Sequence, residues 1–195
     1  MIAVHKYCAT GLARRLTTNR AHMCTDPDAL NDQLGIPRGL VAARGLCRHP
    51  EAGRLDIADI GEDGREFLLT PSTAVAWRNM KIAAQENGIT LYLVSAFRGV
   101  ARQAEIIQEK LNAGMSIDAI LAVCAPPGYS EHHTGRAVDI ATPGALELEE
   151  AFEDTDAFRW LAVHAATFGF TLSYPRGNSA GYDYEPWHWC FNGDG

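Results

Sequence analysis

Histidines and carboxylates that could hold a metal ion are concentrated in two separated segments of the sequence. The first runs from Ser130 to Asp139 and contains His132 and His133, and the second runs from Glu185 to His188. A catalytic zinc ion takes about three nitrogen or oxygen ligands from the protein and keeps a position open for water. Two imidazoles and one carboxylate from these segments would meet that need. Because the H-E-x-x-H spacing of a metal-binding helix is absent, hydrogen-bonded structural histidines remain the other interpretation.

The order and spacing of these residues belong to a longer pattern. S-x-H-x-x-G-x-A-x-D occupies Ser130 to Asp139, and E-P-W-H follows at Glu185 to His188. With Ser95 to Arg98 upstream and Gly181-Tyr182 downstream, the pattern resembles the VanY-type zinc D-alanyl-D-alanine carboxypeptidases. These enzymes share a superfamily with lysostaphin-like endopeptidases and hedgehog domains. The resemblance covers roughly Leu55 to Phe191 and implies a zinc-dependent peptidase that acts on peptidoglycan stem peptides.

The resemblance also implies a role for each residue of the site. The zinc ligands it implies are His132, Asp139 and His188. It makes Glu185 the catalytic base, which takes a proton from water and passes it to the leaving amine. Zn²⁺ is the cofactor this assignment requires, and a stem peptide containing D-amino acids is the expected partner.

His133 competes with His132 for the position of metal ligand. Neighbouring residues of an extended chain point to opposite faces, so only one of the two should face a metal shared with Asp139. Strict alternation would choose His133, but a bend at Gly135 would remove that constraint. The resemblance selects His132 and leaves His133 a structural role or a role in supporting the ligands.

Arg98 is the second candidate catalytic residue. It follows an apolar run, Ile89 to Val94, that is predicted to form a strand. A guanidinium fixed at a strand end could bind a substrate carboxylate or the oxyanion that develops during attack. The candidate substrate-binding residues are Ser130, Gln103, Tyr174 and Trp187. The two aromatic residues in that set could equally belong to the core.

The bond that the enzyme would cut is left open by the sequence. A carboxypeptidase with D,D- or L,D-specificity is the leading hypothesis, and an endopeptidase that cuts inside the stem or cross-bridge is the near alternative. A zinc-stabilised binding module without turnover is a third hypothesis, since hedgehog-type relatives use the scaffold for recognition. The presence of Glu185 beside a full ligand set argues against this third hypothesis.

Composition excludes some functions and leaves the compartment undecided. The 195 residues carry a formal charge of −7, and the basic residues are scattered, which argues against nucleic-acid binding. No apolar run approaches the roughly 18 residues of a membrane span. Five isolated cysteines and the lack of an export signal in Met1 to Arg20 favour the cytoplasm. A cell-wall substrate would instead favour the periplasm or the cell surface.

The predicted elements indicate an α+β protein with one domain. Residues 1–45 read as an N-terminal extension, and residues 46–195 as the zinc peptidase domain. A hairpin is predicted around Gly61 to Gly64, and a helix opening at Pro71 is expected to face inward with Val75, Met80, Ile82 and Ala83. A single helix is predicted from Glu147 to Phe168. The resemblance implies a central, largely antiparallel sheet flanked by helices, as in hedgehog and D,D-peptidase domains.

Overall fold

The computed structural model describes residues 26–193 of the chain. The helices are α1 (Pro27–Gln33), α2 (Arg38–Ala43), α3 (Pro71–Glu86), α4 (Val100–Asn112), α5 (Ile117–Val123) and α6 (Asp156–His164). The strands are β1 (Asp56–Ile60), β2 (Glu66–Leu69), β3 (Tyr92–Ser95), β4 (Ala137–Ala141), β5 (Phe170–Leu172) and β6 (His188–Phe191). Short 3-10 helices cover Glu131–Thr134, Glu150–Asp154 and Ala165–Phe168. Residues 1–25 of the predicted extension lie outside the described residues.

A four-stranded antiparallel sheet of order β3-β4-β6-β5 forms the centre of the fold. Every residue of β4 and β6 is buried, so these two central strands are covered on both faces. Their register places Asp139 directly opposite His188. Opposite residues of an antiparallel pair project to the same face with Cβ atoms about 4.5–5.5 Å apart. The predicted α+β class and antiparallel sheet are confirmed, and the sheet itself brings two candidate ligands together.

The main hydrophobic core lies between this sheet, the β1–β2 hairpin and α3. The inward face of α3 is formed by Ala74, Trp77, Met80 and Ala84, which recur at helical spacing. The prediction that Val75 and Ile82 face inward is wrong, because they are 51% and 59% exposed. Trp77 is fully buried, and its indole N–H donates to Asp59 Oδ2 at 3.2 Å. The large indole, rather than the β-branched residues, therefore fixes the orientation of the helix.

A second hydrophobic cluster joins the N-terminal segment to α4 and α5. Leu34 and Ile36, at the end of α1 and just after it, pack in this cluster with Ile107, Ile120 and Leu121. The apolar side chains of this described part of the segment thus pack against α4 and α5. The predicted domain boundary at residue 45 stays a prediction. In residues 26–193, no helix is both long enough and apolar enough to cross a membrane.

The single helix predicted from Glu147 to Phe168 is wrong. The chain instead forms the 3-10 helix Glu150–Asp154, then α6, then the 3-10 helix Ala165–Phe168. Thr155 separates the first two because its backbone is extended and its hydroxyl accepts a hydrogen bond from the Phe158 N–H at 3.1 Å. Such a side-chain cap starts a new helix and ends the preceding turn.

Candidate metal centre

Three buried side chains present metal-binding atoms to a common point. They are His132, Asp139 and His188, whose ligand atoms all lie within 4.8 Å of one another. His132 Nε2 is 3.2 Å from Asp139 Oδ2, and His188 Nδ1 is 3.0 Å from Asp139 Oδ1. The 3-10 helix Glu131–Thr134, β4 and β6 each supply one of the three residues. The fold thus brings together side chains from distant stretches of sequence, and the β4–β6 register accounts for the Asp139–His188 pair.

The outer nitrogen of each histidine is held in a way that turns the other nitrogen toward Asp139. His132 Nδ1 donates to the carbonyl oxygen of Ala96 at 2.7 Å, which leaves Nε2 free of a proton in the neutral ring. His188 Nε2 donates to Glu131 Oε2 at 3.0 Å, which directs Nδ1 inward. Metal-binding histidines ordinarily have such a partner for the second nitrogen, because it fixes ring orientation and tautomer.

The charges around the three side chains suit a cation. Burial lowers the pKa of His132 to about 4, so this imidazole is neutral at ordinary pH. Burial alone would lower the pKa of His188, but its hydrogen bonds to Asp139 and Glu131 raise that pKa to about 10. Burial opposes ionisation of Asp139, yet both histidines hold its pKa below the ordinary value. The raised pKa of His188 reflects the two carboxylates that it contacts, Asp139 and Glu131, and a divalent cation would balance the same negative charge.

Glu185 lies beside this trio on the loop that precedes β6. Its Oε2 is 3.7 Å from His188 Nδ1, and the residue is buried. Its N–H donates to the Tyr174 carbonyl at 3.1 Å, and its carbonyl accepts the His188 N–H at 3.1 Å. Burial raises the pKa of the Glu185 carboxyl to about 7. A carboxyl with such a pKa can both accept and release a proton near neutrality.

One cleft contains all the predicted site residues. It has a volume of about 700 Å³ and opens over the face of the sheet that carries Asp139 and His188. The predicted residues that line it are Arg98, Gln103, Ser130, His132, Asp139, Tyr174, Glu185, Trp187 and His188. The Tyr174 ring packs against the His188 ring with centroids 4.7 Å apart and the ring planes tilted by 35°. A volume of this size is typical of pockets for small organic ligands.

Two of these residues have buried polar atoms without a partner among residues 26–193. Arg98 Nε makes no hydrogen bond, and neither does Gln103 Oε1. Gln103 is held by donation from its Nε2 to the Ala125 carbonyl at 2.6 Å. A buried polar group without a partner costs roughly 1–3 kcal/mol, and a bound ligand can remove that cost.

His133 points away from the candidate ligands. Its Nδ1 donates to the Arg98 carbonyl at 2.6 Å, and its Nε2 accepts the Gly128 N–H at 3.1 Å. Both histidines lie on a 3-10 helix that ends at Gly135 in the left-handed region, with φ of 65°. Strand alternation therefore does not apply to this segment. The His133 ring instead connects its own segment to those of Arg98 and Gly128 through hydrogen bonds.

The model of the family described as VanY, D-alanyl-D-alanine carboxypeptidase, matches residues 66–194. The chain belongs to the VanY D-alanyl-D-alanine carboxypeptidase family. The family predicted from the sequence motifs is thereby confirmed. The match includes the hairpin strand β2, the whole central sheet and every predicted site residue.

Three relatives of this VanY-family chain illustrate the likeness. YodJ of Bacillus subtilis is 38% identical over 118 residues, which are 59% of this chain and 43% of YodJ. The LdcB LD-carboxypeptidase structure has a TM-score of 0.65 and 32% identity, covering 73% of this chain and 70% of LdcB. A variant of the vancomycin resistance D,D-pentapeptidase VanY, in complex with Zn(II), has a TM-score of 0.58 and 25% identity. The match covers 76% of this chain and 86% of that VanY chain. The chain thus spans less than half the length of YodJ.

Glu131 is the residue of this VanY-family centre that sequence reasoning missed. Its Oε2 accepts hydrogen bonds from His188 and, at 2.6 Å, from the Ser173 hydroxyl. Burial opposes ionisation, but the His188 contact outweighs it and lowers the Glu131 pKa to about 2. The available signal was a carboxylate directly before a candidate ligand. Its partner His188 lies 57 residues away in the sequence, and only the fold reveals that pairing.

Proposed function

We propose that this chain is a zinc metallopeptidase that removes the C-terminal D-alanine from peptidoglycan stem peptides. The observation that carries the proposal is the convergence of His132, Asp139 and His188 beside the buried carboxyl of Glu185 in one cleft. Family membership and the zinc complex of the related VanY support it. The peptidoglycan recognition described for LdcB and the D,D-pentapeptidase activity named for VanY support a peptidoglycan stem peptide as the partner.

The proposed zinc ligands are His132 Nε2, an Asp139 carboxylate oxygen and His188 Nδ1. A zinc ion held there would supply Lewis acidity that polarises the scissile carbonyl and makes water easier to deprotonate. Glu185 takes the proton of the attacking water on its carboxylate and delivers it to the nitrogen of the leaving amine. Its pKa of about 7 is matched to both transfers.

Arg98 and Gln103 are proposed to recognise the free end of the peptide. The Arg98 guanidinium in the cleft can pair with a terminal carboxylate through two parallel N–H···O bonds. Gln103 Oε1, which lacks a partner within the described residues, can accept a peptide N–H. The aromatic rings of Tyr174 and Trp187 wall the cleft, and Ser130 adds a buried hydroxyl. Recognition of a carboxylate explains why an exopeptidase is favoured over an endopeptidase.

Defined stem peptides test the proposal directly. Zinc-loaded protein is incubated with a tetrapeptide stem, a pentapeptide stem and the pentapeptide with its C terminus amidated, and products are read by mass spectrometry. Loss of one alanine from the pentapeptide indicates D,D-specificity, and loss from the tetrapeptide indicates L,D-specificity. The amidated peptide should be cut far more slowly, because Arg98 then has no carboxylate to bind. Cleavage inside the stem would identify an endopeptidase, and no cleavage with zinc bound would refute the hydrolase.

Glu131→Gln is expected to weaken zinc binding about 10- to 100-fold, the usual effect of removing an outer hydrogen-bonding partner of a ligand. The neutral amide keeps the shape of the side chain. It makes the His188 imidazole less basic and holds the ring less firmly in its orientation. Competition with a chromophoric chelator measures the change in Kd. Glu149→Gln, at an exposed carboxylate on the surface, is the matched control and should bind zinc like the wild type. Unchanged zinc affinity in Glu131→Gln would contradict a role for this carboxylate at the metal.

A further inference from the structure

Arg44, at the end of α2, connects the N-terminal segment to the loop that carries Glu185. Its Nε donates to the Ala180 carbonyl at 2.8 Å, and its Nη1 donates to the Leu121 carbonyl at 2.6 Å. Its guanidinium also lies over the ring of Tyr182, 4.2 Å from the centroid. Three separate groups, two on the loop and one on α5, therefore converge on one side chain.

A line of ring contacts runs from Arg44 to the candidate metal centre. The buried ring of Tyr182 meets the ring of Tyr174 edge to face, with centroids 4.8 Å apart. The Tyr174 ring in turn packs against the His188 ring, with centroids 4.7 Å apart. Tyr182 also lines the cleft. Displacement of Tyr182 would therefore move the aromatic wall that contacts a proposed ligand.

The loop between Tyr174 and Glu185 is attached near its start by surface ion pairs of Arg176 with Glu150 and Glu153, and in its second half to α5. Asn178 bonds the backbone N–H and C=O of Tyr182 through its side chain, but this contact stays within the loop. The Asp183 N–H donates to the Ala122 carbonyl of α5 at 2.9 Å. Arg44 adds the bonds to Ala180 and Leu121, so it fastens the loop to the same end of α5. Glu185 follows two residues after Asp183, so this attachment lies close to its backbone in the chain.

We propose that Arg44 is a positioning residue that holds the 174–185 loop, and with it Tyr174 and Glu185, in place at the metal centre. This inference rests on the proposed function for its catalytic consequence. The family match begins at residue 66, so Arg44 belongs to a segment outside the matched region. Arginine suits the position because its planar fork can donate to two carbonyls while its face stacks on an aromatic ring. Lysine, a point charge on a flexible stem, cannot do all three.

Hydrogen–deuterium exchange and kinetics together test the proposal. In zinc-loaded Arg44→Met, peptides covering residues 178–187 should exchange about tenfold faster or more, whereas peptides of β4 and β6 should be unchanged. Stem-peptide kcat/KM should fall about 10- to 100-fold, the range that misplacement by about 1 Å can cause. Bound zinc should remain at the wild-type level. Arg38→Met is the matched control, because Arg38 lies on the same helix and, among residues 26–193, forms its ion pair with Asp32 at the surface.

Two further variants separate positioning from a general loss of structure. In a Tyr182→Leu background, Arg44→Met should cost clearly less in kcat/KM than it does in the wild type, since part of its effect passes through that ring. Arg44→Lys, which keeps the charge and the apolar stem, should show the same loop-specific exchange to a smaller degree. Wild-type exchange over 178–187 in both Arg44 variants would overturn the proposal, as would an equal loss in both backgrounds. If the wild type cleaves no stem peptide, the proposed function fails, while the exchange experiment still decides the role of Arg44.

Discussion

Replacing Glu185 by glutamine is expected to reduce stem-peptide hydrolysis by about 10²- to 10⁴-fold, the usual contribution of general acid–base catalysis. The amide has nearly the same shape but cannot accept the proton of water or return it to the leaving amine. Zinc content should stay at the wild-type level, because the proposed ligands are His132, Asp139 and His188. The measurement is kcat on a defined pentapeptide or tetrapeptide stem, with zinc determined by elemental analysis of the same preparation.

Asp183→Asn is the matched control for Glu185→Gln. Asp183 is an exposed carboxylate two residues earlier on the same loop, and the change also replaces one carboxylate by an amide. This control should keep wild-type turnover. Near-wild-type turnover in Glu185→Gln would exclude the carboxyl as the catalytic base and would leave the loop with a binding role only.

Asp139→Asn is expected to remove both zinc and activity. Its carboxylate is buried between two imidazoles, and the rings hold its pKa below the ordinary value. Loss of this charge leaves only two neutral imidazoles and a neutral amide to coordinate a divalent cation. The loss of zinc affinity should exceed the roughly 10- to 100-fold caused by removing an outer hydrogen-bonding partner. Competition with a chelator gives the Kd, and the stem-peptide assay gives the residual rate.

Asp156→Asn provides the comparison for Asp139→Asn. Asp156 lies at the surface in an ion pair with Arg159, so its loss should change neither zinc binding nor turnover. Stoichiometric zinc at wild-type affinity in Asp139→Asn would show that the ion binds elsewhere. That result would contradict the ligand set on which the proposed function depends.

The sequence predicted the class of fold well where patterns are local. The hairpin around Gly61 to Gly64 and the start of α3 at Pro71 follow from local turn and helix-start residues, and the antiparallel sheet was implied by family resemblance. On α3, Met80 faces inward as predicted, but Val75 and Ile82 do not, because hydrophobicity alone does not identify the buried face of a helix. In the structure the indole of Trp77 takes the core position and small alanines pack around it. Relative packing of large and small residues cannot be read from a list of apolar positions.

The candidate site was predictable as a set of residues but not as a geometry. The family resemblance named His132, Asp139 and His188, yet only the β4–β6 register places the last two opposite each other. The choice between His132 and His133 could not be made from strand alternation, because both lie on a 3-10 helix. The contacts of Glu131 and Arg44 span long stretches of chain, and no local pattern indicates them.

The cross-strand pairing of Asp139 with His188 ties zinc affinity to correct folding. A slip of β6 by one residue would turn the His188 imidazole to the opposite face of the sheet and separate it from Asp139. Zinc would then bind the correctly aligned protein far better than any slipped form. Zinc binding stabilises the correctly aligned fold by RT ln(1 + [Zn]/Kd). The ion would therefore favour the correct alignment of β4 and β6 over slipped forms, in addition to its part in hydrolysis.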